Sequence, residues 1–135
     1  MNQSQVYTFI LKRFESNWFE TPVEYPNARI ETDGLAEWIR VTILSNKNKQ
    51  IGFKGGSHRG GTLDVQVFTR INTGPGRINE LAEMVGALFA DLVSGTLVFK
   101  PHTIFTVGES IAQGLNTVKS GWYQVNCSIN FTYID

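Results

Sequence analysis

The alternation of apolar and polar residues between positions 121 and 134 constrains the fold most. The apolar positions are Tyr123, Val125, Cys127, Ile129, Phe131 and Tyr133, and the residues between them, such as Gln124 and Asn130, are polar. Successive side chains of a β-strand point to opposite faces of a sheet, so this pattern predicts a long strand with one buried face and one polar face. The chain must therefore build a sheet with a core on one side.

Two further stretches alternate in the same way. In residues 36–45, Ile39, Val41 and Ile43 share one face, and residues 62–71 place Leu63, Val65, Val67 and Ile71 together. The connection between these two strands contains no helical pattern, which predicts antiparallel pairing. Two shorter strands are predicted at residues 96–100 and 103–107, separated at Pro101.

Two segments carry the helical period. Val6, Ile10 and Phe14 recur every four residues and predict a helix over residues 4–18, and Pro22 and Pro26 then favour an extended connection over residues 19–30. A second helix is predicted from the apolar positions Ile78, Leu81, Ala82, Val85, Leu88, Phe89 and Leu92, with Gly95 as its C-terminal cap. The order α-β-β-α-β-β-β predicts a single α+β domain over residues 1–135, an antiparallel β-sheet with both helices packed on one face.

Charge and cysteine content exclude several classes of protein. Lysine plus arginine equals aspartate plus glutamate at 12 each, so no net charge draws the chain to nucleic acid or to an anionic membrane. The same balance does not oppose association between copies. Cys127 is the single cysteine, which excludes an intrachain disulfide and fits a reducing compartment.

The most unusual stretch is the glycine-rich segment of residues 52–61. Its glycines and its cations suggest an anion cradle, but the spacing differs from that of a phosphate-binding loop, and a strand rather than a helix follows. We therefore expect a flexible tip between two strands that becomes ordered against a partner. The candidate contact residues of this assembly loop are Lys54, Ser57, His58 and Arg59.

No catalytic, metal or cofactor site is expected. The only histidines, His58 and His102, lie far apart in the sequence and have no metal-ligand spacing with cysteine or acidic residues. Cys127 belongs to an apolar row, which favours core packing over nucleophilic chemistry. Glu80, Glu83 and Asp91 lie on the polar side of the second helix, where a solvated helix face is commoner than an acid–base pair.

Two tryptophans depart from the strand alternation. Trp38 and Trp122 both fall on the polar side of their strands. Because aromatic side chains are enriched at interfaces, this placement indicates a second buried face, for example against a neighbouring subunit.

Taken in order, these elements and several short phrases indicate a family. The phrases are Trp38-Ile39-Arg40-Val41, Val65-Gln66-Val67-Phe68, Asn79-Glu80-Leu81-Ala82-Glu83, Gly121-Trp122-Tyr123-Gln124-Val125 and Phe131-Thr132-Tyr133. Over nearly its whole length the chain resembles the small tail terminator, or tail-completion, proteins of long-tailed bacteriophages.

The resemblance implies a structural protein of the virion tail, assembled in the host bacterial cytoplasm. Such proteins form a ring, typically a hexamer, that caps the tail tube, stops its polymerisation and offers a surface to the head–tail connector. The implied partners are other copies of the chain, the tube protein and the connector, with DNA passing through the ring without specific binding. The alternatives are another neck or tail protein, such as a connector or tube subunit, and a small α+β enzyme.

Overall fold

The computed structural model describes residues 1–50, 57–110 and 121–135. The helices and strands, in chain order, are α1 (Gln3–Asn17), β1 (Val23–Glu24), β2 (Glu37–Gln50), β3 (Ser57–Arg70), α2 (Pro75–Phe89), β4 (Val93–Ser94), β5 (Leu97–Ser110) and β6 (Trp122–Ile134). The strands form one six-stranded sheet in the order β1-β2-β3-β6-β5-β4. The predicted α+β class is confirmed.

Four long antiparallel strands, β2, β3, β6 and β5, form the body of the sheet. The alternation predicted β2, β3 and β6. The short strands β1 and β4 were not predicted, because two residues cannot display an alternating pattern. β1 pairs with β2 in parallel, so the sheet is mixed rather than purely antiparallel.

Local capping signals set the ends of both helices. Asn2 and Gln5 form a capping box at the start of α1, and Pro75 occupies the first turn of α2. The prediction that α2 continues to a cap at Gly95 was wrong. The helix ends at Phe89, and Asp91 adopts a left-handed backbone with φ 53°. Gly95, with φ 61°, lies instead in the turn between β4 and β5.

The core lies between the two helices and one face of the sheet. Val6, Ile10 and Phe14 of α1 are buried there with the apolar rows of β2, β3 and β6. Phe89 of α2 lies at the centre, with its ring 5.4 Å from that of Phe14 and 4.9 Å from that of Phe99. The predicted packing of both helices on one face follows from these contacts, although Leu88 and Leu92 are only half-buried at its margin.

β5 runs without a break through Pro101, where the sequence predicted an interruption. The strand accommodates the proline at a bulge, because its pairing with β6 shifts register between Phe99 and His102. Proline lacks an N–H group and is tolerated in sheets at bulges and on outer strands. The two short strands predicted here are therefore one strand of 14 residues.

Candidate assembly surfaces

Most of the outer edge of β2 has no partner within the described part of the chain. β1 pairs with β2 only at Ile39 and Arg40. From Val41 to Gln50, no strand among residues 1–50, 57–110 and 121–135 pairs with this edge. A groove of about 760 Å³ lies between the segment of residues 24–32 and this edge at residues 40–43. An unpaired edge of this length is a template for another strand.

The opposite edge of the sheet is also open. β4 pairs with β5 at Leu97 and Val98, and the Phe99 N–H donates to the Leu92 carbonyl at 3.1 Å. From Lys100 to Ser110, no described strand pairs with the outer side of β5. The sheet therefore ends on two open edges, one on β2 and one on β5.

Large apolar side chains are exposed along both open edges. Leu44 of β2 is 54% exposed, and Phe105 and Val107 of β5 are 46% and 49% exposed. Apolar side chains beside unpaired backbone groups favour association with another chain and are usually avoided on the edges of monomers. These two edges are the best candidates for contacts between copies.

The face of the sheet that neither α1 nor α2 covers is polar over most of its area. Thr42, Asp64 and Ser128 form one row across β2, β3 and β6, and the next row contains Thr62 and Asn130, whose side chains are hydrogen-bonded at 2.9 Å. Desolvation raises the pKa of the Asp64 carboxyl, and its Oδ1 atom is buried with no hydrogen-bond partner among the described residues. We call this side the helix-free face.

An aromatic cluster occupies one end of the helix-free face. Trp38 stacks on Phe68 at 4.2 Å and meets Trp122 edge-on at 6.0 Å. The guanidinium of Arg70 lies 3.8 Å from the Trp122 ring, which adds a cation–π contact. The predicted second buried face is present, and Ile30 and Leu35 of the same chain pack against it.

The described part of the glycine-rich segment, residues 57–61, is strand rather than loop. β3 begins at Ser57. Ser57, His58 and Arg59 pair with β2, and His58 and Arg59 also pair with β6, contrary to the prediction of a flexible tip at these positions. Arg59 forms an ion pair with Asp135 at 3.3 Å, and His58 is exposed. Lys54 lies outside the described residues.

Gly61 shows why this segment needs glycine. A Cβ atom there would lie 2.4 Å from the Leu44 carbonyl oxygen and 2.6 Å from the ring of Phe131. Removing the side chain lets an aromatic ring lie against the backbone of β3. Sequence reasoning took the glycines as a sign of flexibility, whereas this one serves close packing inside a sheet.

The residues weighed for chemistry have structural roles. Glu80 pairs with Arg77 at 2.6 Å, and Glu83 pairs with His102 at 3.2 Å. Cys127 is fully buried, and burial raises the pKa of its thiol to about 12. No group of three or more metal-ligating side chains occurs among the residues that the structure describes. Neither described helix has the length and apolar character to cross a membrane.

Comparison with known proteins gives a family and a fold. A family model described as phage tail terminator protein matches residues 5–131, nearly the whole chain. One solved structure, whose name describes no function, superimposes with a TM-score of 0.67 at 19% sequence identity, covering 100% of this chain and 97% of its own. At that identity the likeness supports the fold alone. No curated protein matches the chain significantly.

Proposed function

Because the chain belongs to the phage tail terminator protein family, we propose that it is the ring subunit that caps a finished tail tube, stops its polymerisation and provides the surface for joining the head. The coarser statement, a structural protein of the phage tail, follows from the family itself. The finer one is supported chiefly by the two open edges of the sheet, with Leu44 and Phe105 exposed on them.

Two different edges suit a ring better than a twofold dimer. A contact between unlike surfaces on identical subunits repeats from copy to copy and closes when the rotation between copies allows it. The β2 edge and the β5 edge are unlike surfaces at opposite ends of one sheet. A closed ring would cover both and leave no subunit with exposed apolar edges.

The proposed partners beyond the chain itself are the tube protein on one side of the ring and the connector on the other. Such a ring binds the end of the tube on one side and presents no tube-like surface on the other. Further tube subunits then have nothing to bind, so polymerisation of the tube stops without any chemical reaction. DNA would pass through the opening without specific binding, since the chain has no net positive charge. We place assembly in the cytoplasm of the bacterial host and assign the protein no enzymatic activity.

Deleting the gene from the phage tests this function. Electron microscopy of the resulting particles should show abnormally long tails that fail to join heads, and light scattering of the purified protein should give a closed oligomer. Tails of normal length that lack heads would favour the connector alternative, and an absence of tails would favour a tube subunit.

A pair of charged variants connects the edges to this function. Phe105→Asp places a carboxylate on the open edge of β5, whereas Ser16→Asp adds the same charge on the exposed side of α1. Phe105→Asp should reproduce the tail defect of the deletion, and Ser16→Asp should complement it. Full complementation by Phe105→Asp would contradict the role of the edge.

A further inference from the structure

We infer that copies of this chain join by strand addition, with β5 of one copy pairing antiparallel with β2 of the next at an offset of four residues that places Phe105 beside Leu44. This inference rests on the proposed ring and specifies how its subunits contact each other. The occupant of each open edge is therefore a second copy of the chain.

Strand directions within one copy permit this pairing. β2 is antiparallel to β3, β3 to β6, and β6 to β5, so β2 and β5 run in opposite directions. If the next copy continues the sheet in the same orientation, its β2 lies antiparallel beside β5. The groove of about 760 Å³ along β2 leaves room for the side chains of the incoming strand.

The short strands β1 and β4 limit a pairing without offset to four residues of β2. We call two residues level when the register through β3 and β6 places them in the same row across the sheet. Within one copy, Val41 is level with Ile104, and Ser45 is level with Phe99. At that level an incoming β2 would meet β4, which covers β5 as far as Phe99. Only Val41 to Leu44 could then pair. β1 covers the start of β2, and β4 covers the start of β5, which lies at the opposite end of the sheet. Sliding one copy along the strand direction relative to the next therefore brings the uncovered parts of β2 and β5 side by side, and more residues can pair.

Side-chain alternation then restricts the offset to even numbers. An odd offset would bring side chains of the helix-free face opposite side chains of the core face. Leu44 is level with Asn130 and Phe105 with Asn126, so an offset of four residues makes Leu44 and Phe105 neighbours on the same face. Both are large, apolar and about half exposed in the single chain. An offset of six would place Leu44 beside Gly108, which has no side chain to cover it.

The same offset fits the geometry of a closed barrel. Four residues at about 3.4 Å each, over four long strands about 4.8 Å apart, tilt the strands by about 35° from the ring axis. Closed barrels have tilts of about 35–45°. The offset that buries Leu44 against Phe105 is therefore one that lets the sheet close on itself.

Disulfide cross-linking tests the register directly. The double variant Leu44→Cys/Phe105→Cys reports the offset of four, because directly opposite residues on neighbouring strands lie close enough for a disulfide. The matched control, Thr42→Cys/Thr103→Cys, reports a pairing without offset, since both residues are level with Ser128. Native Cys127 is buried and serves as the unreactive background.

Each protein is oxidised in its native state, and its products are separated without reductant. We expect a ladder of covalent multimers up to the size of the ring from Leu44→Cys/Phe105→Cys, and none from the control or from either single variant. A ladder from the control alone would overturn the offset. If light scattering shows an intact ring but neither pair cross-links, strand addition is wrong while the ring stands. A monomeric wild-type protein would contradict the ring itself.

Discussion

The two faces of the sheet are made by the same strands but are stabilised in different ways. On the helix-covered face, β3 contributes Leu63, Val65 and Val67, all buried under helices. On the helix-free face, the same strand contributes Thr62, Asp64 and Gln66, which are half-buried with no helix over them. The first face is completed within one chain by hydrophobic burial, whereas the second is polar at its centre and apolar at its open edges. That difference separates residues that fold the subunit from residues available to join subunits.

Truncating the centre of the core should give the largest effect. Phe89→Ala removes a fully buried ring that contacts two other phenylalanines, and we expect the free energy of unfolding to fall by about 3–5 kcal/mol. Phe105→Ala on the helix-free face is the matched control, and it should lower the stability of the isolated subunit by less than about 1 kcal/mol. Urea unfolding under conditions that keep the subunit monomeric measures both. Similar losses would remove the distinction between the faces.

Adding a methyl group under α2 should have the next largest effect. A Cβ at Gly86 would lie 2.5 Å from the ring of His102, so Gly86→Ala requires the helix or β5 to move. We expect a loss of about 1–3 kcal/mol despite the better helix propensity of alanine. In the double variant Gly86→Ala/His102→Ala, the methyl group finds space. A double variant less stable than Gly86→Ala would show that the contact between this ring and the helix does not set the effect.

The Cys127 thiol, which lies on the helix-covered face, should make the free energy of unfolding depend on pH. Burial raises the pKa of this thiol from its ordinary value of 9.0 to about 12. Below pH 9 the thiol is protonated in both states and its contribution is fully present. Between pH 9 and about 12, the unfolded chain releases the proton while the folded chain keeps it, so stability falls as pH rises, by about 1 kcal/mol per unit.

Comparison with Cys127→Ala isolates this contribution from other groups that titrate in the same range. Urea unfolding at pH 8 and pH 10 should show wild-type protein losing about 1 kcal/mol more than the variant. Equal losses would mean that the thiol ionises as readily in the folded chain as in the unfolded chain, so that its pKa is not raised. Rapid labelling of the native protein by a thiol reagent at neutral pH would contradict its burial.

Neutralising Asp64 on the helix-free face should have the smallest effect. Desolvation raises the pKa of this carboxyl, so the folded chain holds the charged form less favourably than the unfolded chain does. Asp64→Asn should stabilise the isolated subunit at pH 7 by less than about 1 kcal/mol, since solvent screens a half-buried group. The advantage should disappear as pH falls below the unfolded pKa of about 3.9, where both states are protonated. Destabilisation at pH 7 would indicate that Asp64 has an attractive partner.

Periodicity was sufficient to predict three of the four long strands, β2, β3 and β6, and both helices. The predictions from periodicity were wrong where contacts in the folded sheet overrode the local preference of a proline or a glycine. The sequence predicts a break at Pro101, but an outer strand tolerates a proline at a bulge. Its glycines predict a loop around Ser57, His58 and Arg59 because glycine favours turns, yet Gly61 is required where Phe131 packs against the backbone. Their role as assembly residues stays a prediction, as does that of Lys54.

By itself, the sequence determined most of the side chains that enter the core and the element to which each belongs, because alternation and the helical repeat are properties of the local backbone. Beyond the pairing of β2 with β3, tertiary structure alone decided which strands are neighbours, since strand order depends on contacts between residues far apart in the chain. That order places β2 and β5 at the outer edges, with short strands covering opposite ends of each. It also turns Leu44 and Phe105, two ordinary apolar residues in the sequence, into the exposed side chains of the two open edges.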